Sequence, residues 1–434
     1  MKKIFCLYLL VCLSVIHLYS QELTFSQHIS PIIFSKCSPC HHLDGSAPFA
    51  LISYNEVAEM SKMIDYVVEK NIMPPWHHDP KFHSFYNEII LSPDEKESLR
   101  NWIANGKVPG DLSSIKHPTF KPKAKDKPDL VFAMDKKYTV KAKETDEFTW
   151  FQIPYVFKDT TYFKSVWLKT AFPKIEHHGE VFSNAFVDRP KDVWPSDSIV
   201  QNPIINTAMT STETKGSLFQ GKKFVAGRFP ATDAWQYPKG IVECIEPGRN
   251  LMVYGHYAPV AVDEADSASI ELKFCKKKPT DRTYIELGVH GFHDLVNKPF
   301  FIKKDTVITF YCEKVVDKDY SAFLVLPHAH HICTKMLAYA VSPNGDTLPL
   351  VKIDKWIFEW QFLYQFKKYV PLKRGTKLFF QATYDNTASN PANHNSPPID
   401  VNTSMNANDE MMDLFIHVVP YQEGDEDKLL EYDY

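Results

Sequence analysis

Short apolar or alternating runs, separated by turn residues, follow one another from Thr149 to Val419 and indicate β structure over that part of the chain. Runs of this length and alternation predict strands. The chain also contains 30 prolines and only 15 glycines. Because proline cannot donate to a sheet ladder, this balance favours edge strands and fixed turns. The chain is therefore expected to contain much β structure.

The charge balance excludes one large class of partner. The chain has 49 Lys and Arg against 53 Asp and Glu, a formal net charge of −4. It therefore lacks the broad positive field that a nucleic-acid-binding protein uses, and no nucleic-acid partner is expected. The 44% hydrophobic content also excludes a disordered tail protein.

The first residues have the pattern of a secretory signal. Lys2 and Lys3 precede an apolar run from Ile4 to Ile16, and Ser20 offers a cleavage site before Gln21. We expect residues 1–20 to be a signal peptide and the protein to be exported, either periplasmic or secreted. The apolar run is too short to span a bilayer, and no later stretch is long enough, so no transmembrane anchor is expected.

Six cysteines would remain after processing: Cys37, Cys40, Cys244, Cys275, Cys312 and Cys333. In an oxidising compartment the last four could form two disulfides. Four cysteines allow three pairings, and the sequence alone does not choose between them. One of the three joins Cys244 to Cys275 and Cys312 to Cys333.

The segment Cys37-Ser38-Pro39-Cys40-His41 has the Cys-x-x-Cys-His pattern. In this pattern two thiols add to the vinyl groups of a heme and the histidine supplies an axial imidazole. The alternatives are a redox dithiol, which leaves the adjacent histidine unexplained, or half of a zinc site, which no second cysteine pair accompanies. We expect one covalently bound heme c on Cys37, Cys40 and His41.

A sixth heme ligand is expected further along the chain. Met73, in Ile72-Met73-Pro74-Pro75-Trp76, is the preferred candidate, with His77 and His78 as rivals. A well-bounded helix follows, since Ser92-Pro93-Asp94-Glu95 is a capping box and Gly106 is a stop signal. Together these features resemble the class I cytochrome c family over about 90 residues.

The expected fold class is multidomain, with a small all-α cytochrome c domain followed by two all-β, jelly-roll-like sandwich domains. Residues 113–128 are polar and rich in lysine and proline, which predicts a linker. The expected order is a signal peptide (1–20), the cytochrome c domain (21–112), the linker (113–128), two sandwiches (129–278 and 279–421) and an acidic tail (422–434).

The β-rich remainder contains three histidine groups: His177-His178, His256, and His328-Ala329-His330-His331. A His-x-His on a strand places two imidazoles on one face, about 6 to 7 Å apart along the backbone, where they can chelate one metal. The alternative is an ordinary polar strand face. Adjacent histidines on a regular strand point in opposite directions, so His177 and His178 can share a metal only at a bend, which Gly179 permits.

The order of these groups, followed by Asp409-Glu410-Met411, resembles the ascorbate-dependent copper type II monooxygenases, the family of peptidylglycine α-hydroxylating monooxygenase and dopamine β-monooxygenase. The resemblance implies two copper ions. The electron-storing copper would be bound by His177, His178 and His256, and the oxygen-activating copper by the catalytic set His328, His330 and Met411. Imidazoles suit both copper states, and a thioether favours Cu(I). His331, His290 and His293 are expected to have structural roles.

The sequence also departs from the peptide-amidating members of that family. The position of their carboxylate-binding arginine is Leu326, and their tyrosine and asparagine after the methionine ligand become Phe415 and Asp413. Without a bidentate anchor for a carboxylate, a glycine-extended peptide is not the expected substrate. Met412 replaces a cysteine of those relatives, so that disulfide is also absent.

The expected function is hydroxylation of an aliphatic or benzylic C–H bond of an unknown small organic substrate with O₂. Electrons from an external donor would arrive through the heme instead of, or besides, ascorbate. One alternative is a non-enzymatic copper-binding or electron-transfer cytochrome. Another is an interaction module in which only the heme functions.

Overall fold

The computed structural model describes residues 22–43, 45–118, 127–134, 137–143, 147–153, 155–170, 176–185, 200–201, 223–229, 235–275, 282–404 and 409–432. The predicted signal peptide and part of the predicted linker lie outside these residues. The chain forms two compact units. The first comprises Met1–His41, Phe49–Pro74 and Ile90–Pro118, and the second His42–Pro48, Pro75–Ile89 and Thr119–Tyr434.

The first unit contains the α-helices of the described chain. They are α1 (Ser30–Lys36), α2 (Tyr54–Glu59), α3 (Ser61–Glu69) and α4 (Pro93–Ala104), preceded by a π-helical turn at Phe25–Ile29. Their apolar faces meet in one core, which buries Phe25, Ile29, Ile32, Ile33, Leu51, Val57, Ile64, Val68, Leu91, Leu99 and Trp102.

The start of α4 is confirmed as the sequence predicts it. The Ser92 hydroxyl accepts the backbone N–H of Glu95 at 3.1 Å, and the Glu95 carboxylate accepts the backbone N–H of Ser92 at 2.7 Å. Pro93 occupies the first helical position. The two bonds satisfy donors that the first helical turn would otherwise leave unpaired.

Ser92→Ala is therefore expected to lower the free energy of unfolding of the first unit by about 1 kcal/mol. Faster amide exchange confined to α4 is the measurement. Ser35→Ala on α1 is the matched control, since that exposed hydroxyl bonds only to carbonyl oxygens of its own helix. Equal effects of the two substitutions would contradict the capping role.

The predicted fold class is wrong. The part of the chain that the structure describes is mostly β-sheet, with 40% strand and 14% helix. The four described helices are short, with 7, 6, 9 and 12 residues, and no small all-α cytochrome domain is evident.

The segment 75–89 explains part of this error. It was expected within an all-α domain, but it belongs to the second unit, where His78 bridges to Ile353 and Phe85 to Phe366. Trp76 packs against Phe362 and Tyr364 with ring centroids 5.1 and 5.0 Å apart. Because these rings are buried against residues of the second unit, the segment is part of that unit and not of the helical one.

The strands of the described chain all belong to the second unit. They are β1 (Leu130–Ala133), β2 (Tyr138–Val140), β3 (Glu147–Gln152), β4 (Thr161–Lys169), β5 (Glu176–Ala185), β6 (Val200–Gln201), β7 (Lys223–Arg228), β8 (Trp235–Gln236), β9 (Ile241–Ile245), β10 (Arg249–Tyr257), β11 (Glu264–Asp266), β12 (Ser269–Phe274), β13 (Arg282–Thr283), β14 (Ile285–His290), β15 (Val307–Val315), β16 (Tyr320–His328), β17 (Cys333–Val341), β18 (Thr347–Ile353), β19 (Tyr364–Leu372), β20 (Lys377–Asp385) and β21 (Asp413–Pro420).

These strands pair mainly antiparallel in four larger sheets. Sheet I has the order β1-β12-β4-β9-β13, with β8 also on β4, and sheet II has the order β6-β3-β10-β5-β7. Sheet III has the order β14-β21-β16-β19 and sheet IV the order β15-β20-β17-β18, while β2 and β11 form a separate pair. The candidate residues lie on inner strands: His256 on β10 of sheet II, and His328 at the end of β16 of sheet III.

Cys244, Cys275, Cys312 and Cys333, the four cysteines of the second unit, are free thiols. Cys244 and Cys275 flank β4, since Cys244 pairs with Tyr162 and the Cys275 N–H donates to the Tyr162 carbonyl. Cys312 and Cys333 lie on β15 and β17, with β20 between them. Two strand spacings of about 4.8 Å exceed the reach of a disulfide, so neither suggested pair forms.

His417 on β21 is a fully buried histidine in an aromatic cage. Its ring centroid lies 4.6 Å from that of Tyr284, 5.4 Å from Phe224, 5.7 Å from Trp235 and 6.0 Å from Phe323. Within the described chain both ring nitrogens are buried without a hydrogen-bond partner. Burial and the nearby Lys223 ammonium lower the pKa of His417 to about 3.

Acid destabilisation follows from that shift. Below pH about 6.5 this histidine is protonated in the unfolded chain, whereas in the folded chain it stays neutral down to about pH 3. The free energy of unfolding of the second unit therefore falls by about 1.4 kcal/mol for each pH unit between these values. His417→Phe should remove this contribution, and urea unfolding at pH 7.5, 6, 5 and 4 measures it. If the free energy of unfolding of His417→Phe fell with decreasing pH as steeply as that of the wild type, His417 would be excluded as the cause.

Among the residues that the structure describes, no helix is both long and apolar enough to cross a membrane.

Candidate functional site

His328 and His330 lie side by side where β16 ends and the chain turns towards β17. Their ring centroids are 5.3 Å apart at an interplanar angle of 86°. A metal–nitrogen bond of about 2.0 Å places a metal about 3 Å from each ring centroid, so two imidazoles on one ion stand about 5 Å apart. The observed separation is of this size.

Both rings are oriented by hydrogen bonds through the same nitrogen. Nδ1 of His328 donates to Oε1 of Gln361 at 2.7 Å, and Nδ1 of His330 donates to the Asp409 carbonyl at 2.9 Å. Because a carbonyl oxygen only accepts, Nδ1 of each ring carries a proton, and a neutral ring then has its lone pair on Nε2. Protein metal ligands are commonly held in this way by a second hydrogen bond.

His330 is kept in the form that binds metals. It is almost fully buried, and burial, followed by the nearby His328, lowers its pKa well below the usual value. A neutral imidazole is the ligand form at ordinary pH.

The segment Asp409-Glu410-Met411 lies against the His330 turn. Met411 is 7% exposed, and its carbonyl accepts the hydroxyl of Tyr384 at 2.6 Å. The Asp409 carbonyl holds the His330 ring, as described above. The backbone of this segment therefore contacts the His330 ring and turn, and Met411 stays a predicted ligand.

The carboxyl group of Glu410 is buried within the same segment. It accepts backbone N–H groups of His330 at 2.9 Å, Ile332 at 2.7 Å and Met411 at 3.3 Å. Burial raises the pKa of Glu410 to about 8, against the N–H donors, which favour the ionised form.

The first predicted copper set is described only in part. His256 is fully buried on β10, and its cross-strand partner on β5 is His178. The register shifts there, since Tyr257 faces Glu176, so the backbone of β5 bulges by one residue at His177. The side chains of His177 and His178 lie outside the described residues.

Phe358 contacts histidines of both predicted copper sets. Its ring centroid lies 5.4 Å from that of His256, 5.6 Å from His330 and 4.2 Å from His331. One phenyl ring therefore links sheet II to the His330 turn. His331 also contacts His394, at 5.4 Å.

Among the described side chains, no group of three or more His, Cys, Asp or Glu is placed to hold a metal ion. The second predicted set has two imidazoles and a thioether, so it is not a group of that kind.

The predicted heme-binding residues lie in the first unit. Cys37 and Cys40 are partly buried free thiols just after α1. Burial, and next the neighbouring Cys40, raise the pKa of Cys37 to about 12. Nδ1 of His41 donates to the Phe49 carbonyl at 3.1 Å, which leaves the lone pair on Nε2.

The candidates for the sixth heme ligand differ in their surroundings. Met73 is half-buried in the first unit, while His77 and His78 belong to the second. Both ring nitrogens of His78 are engaged, since one donates to the His83 carbonyl at 2.8 Å and the other accepts the Lys352 N–H at 3.3 Å. This arrangement disfavours His78, and Met73 stays the prediction.

Leu326, Asp413 and Phe415, which differ from the corresponding residues of the peptide-amidating enzymes, lie on the strands that carry or neighbour His328. Asp413 lies on β21 between His290 and His328 of the neighbouring strands, and it accepts Nδ1 of His290 at 2.9 Å. Burial lowers the pKa of His290, but the bond to Asp413 outweighs it and the net shift is upward. Leu326 is buried, and Phe415 packs 5.4 Å from His290.

Sequence reasoning missed several residues of the site: Gln361, Phe358, Tyr384 and Trp356, whose indole N–H donates to the His330 carbonyl at 3.0 Å. All four are supplied by segments distant in the chain from the histidines, and no local motif marks them. Glu410 had a signal, its position directly before Met411.

Comparisons with known proteins do not assign a family. No family model and no curated protein matches the chain. Among solved structures it is similar to PNGF-II in a P21 crystal form, at 9% identity and TM-score 0.25, over 66% of this chain and 65% of that one. It is also similar to the T13 particle of infectious bursal disease virus, at 9% identity and TM-score 0.18, over 69% and 71%. Similarities this low support no conclusion about the fold family or function of this chain.

Proposed function

We propose that this protein is an exported copper-dependent monooxygenase that hydroxylates a C–H bond of a small organic substrate with O₂. The observation that carries the proposal is the pair His328 and His330, whose rings stand 5.3 Å apart with both Nδ1 atoms held by carbonyl oxygens. The segment that bears Met411 lies directly beside them.

Copper suits this donor set better than zinc. Two imidazoles bind either copper state, while a thioether is a soft ligand that favours Cu(I) and is rarely used by zinc. Copper bound there would supply one-electron redox chemistry with O₂. The protein supplies two imidazoles, a buried thioether and hydrogen bonds that fix both rings before the metal binds.

The second copper is proposed at His177, His178 and His256. The bulge of β5 at His177 supports this assignment, because neighbouring residues can face one side of a sheet only where the strand is irregular. Phe358 contacts His256 of this set and His330 of the other.

Electrons are proposed to enter through a heme c attached to Cys37 and Cys40, with ascorbate as an alternative or additional reductant. His41 supports the heme proposal because its Nδ1–H bond to Phe49 holds the ring in the tautomer that ligates iron through Nε2. Met73 is proposed as the sixth ligand.

The substrate is proposed to be largely apolar. Leu326 and Phe415 stand where the peptide-amidating enzymes hold a carboxylate, and the remaining polar residue, Asp413, is already paired with His290. A carboxylate substrate would meet the charge of Asp413 and no arginine.

Oxygen consumption tests the proposed activity. The copper-loaded protein is supplied with a reductant and a panel of lipids and aromatic metabolites, and products are analysed by mass spectrometry after reaction under ¹⁸O₂. We expect substrate-dependent uptake and one labelled oxygen atom per product. Copper binding without any substrate-dependent uptake would instead indicate a non-enzymatic copper or electron-transfer protein.

A further inference from the structure

Glu410 connects the two chain segments that supply the ligands of the proposed oxygen-activating copper. Its residue is 1% exposed, and both carboxyl oxygens are used. Oε2 accepts the backbone N–H groups of His330 and Met411 at 2.9 and 3.3 Å, and Oε1 accepts that of Ile332 at 2.7 Å. One side chain thus binds the backbone of two ligands, although 80 residues separate His330 from Glu410.

The backbone around Glu410 is itself fixed. The Glu410 N–H donates to the Asn402 carbonyl at 2.9 Å, and the Glu410 carbonyl accepts the Ser404 N–H at 3.3 Å. The Tyr384 hydroxyl holds the carbonyl of Met411. The carboxyl group therefore extends from a rigid support into the turn at residues 329–332.

We infer that Glu410 is the positioning residue that sets the distance between His330 and Met411 and so determines the geometry of the proposed copper site. This inference rests on the proposed function. Glu410 acts through the backbone of the ligands: without its carboxyl oxygens, the His330 and Ile332 N–H groups lose their acceptors and the turn can move away from Met411. Buried N–H groups deprived of acceptors rearrange because leaving them unpaired is costly.

The alternative is that Glu410 only stabilises the fold. A merely structural carboxyl group would change the melting temperature when replaced, but not the coordination of a metal. Glu243 offers a matched control, since it is also fully buried, accepts Nζ of Lys223 at 2.5 Å and lies on β9 of sheet I.

The experiment uses the full chain with His256→Ala as background, so that only the second set binds copper. Glu410→Gln, Glu410→Asp and Glu243→Gln are compared in three measurements: Cu(I) affinity by chelator competition, the Cu(II) electron paramagnetic resonance spectrum, and amide exchange of residues 329–333. Glutamine keeps the shape of the side chain but replaces one acceptor oxygen, whereas aspartate keeps both oxygens and withdraws them from the turn.

We expect both Glu410 variants to lose about 10- to 100-fold in Cu(I) affinity. Their Cu(II) spectra should change and exchange at His330 and Ile332 should accelerate, while Glu243→Gln leaves all three unchanged. Unchanged affinity and spectrum in a folded Glu410 variant would overturn the inference. If neither variant folds, the fold itself requires the carboxyl group and the inference is overturned. Absence of copper from the background protein would instead refute the proposed function.

Discussion

Met411→Ala is expected to abolish tight copper binding at the second site and, with it, substrate hydroxylation. Removal of a ligand should cost at least the 100-fold in affinity that a residue supporting a ligand can cost. The substitution also removes a buried side chain, so a loss of about 2 to 5 kcal/mol in stability is expected at the same time. Copper affinity and the free energy of unfolding are both measured.

Met412→Ala separates these two effects. Met412 is the adjacent residue, 1% exposed, and its sulfur lies 3.9 Å from that of Cys312. Its truncation should destabilise the second unit by a similar amount while leaving the copper site loaded. Equal copper affinity in the two variants would show that Met411 is a packing residue and would remove the thioether from the proposed site.

Replacement of both Cys37 and Cys40 by serine is expected to eliminate covalently bound heme completely. A serine hydroxyl forms no thioether with a heme vinyl group, so the mass of the chain should fall by that of the porphyrin, and the alkaline pyridine spectrum of heme c should vanish. Expression with the cytochrome c maturation machinery is required for the comparison.

The control for this experiment is Cys244→Ser with Cys275→Ser, which also removes two partly buried free thiols. That variant should retain one heme per chain. Absence of heme from the wild-type chain under the same conditions would contradict the assignment of Cys37-Ser38-Pro39-Cys40-His41 as an attachment site.

Local features of this chain were predictable from the sequence. The capping box at Ser92 and Glu95 depends on residues three positions apart, and the structure reproduces it. The alternation along the later runs likewise produced strands, because side chains on a strand alternate between its faces.

Features that depend on distant residues were not predictable. The segment that carries Trp76 and Phe85 joins strand residues about 280 positions later, and no local pattern reveals that burial. The error in fold class follows from the same cause, since helical signals at Ser92 were extended to a whole domain. Gln361 accepts a hydrogen bond from His328 across a sequence separation of 33 residues, and no local pattern predicts that contact.

Within the site, residue identity was easier to predict than geometry. The spacing of His328 and His330 predicted a shared metal, and the structure places their rings side by side. The hydrogen bonds that select Nε2 of each ring come from Gln361 and the Asp409 backbone, whose positions only the fold defines. His177 and His178 stay a prediction.

Copper stoichiometry tests the central proposal most directly. The full chain is loaded anaerobically with copper, freed of excess metal by gel filtration, and analysed for copper and iron by mass spectrometry. Two copper ions and one iron per chain are expected, with one copper lost selectively in Met411→Ala. Iron without copper after loading would contradict the monooxygenase.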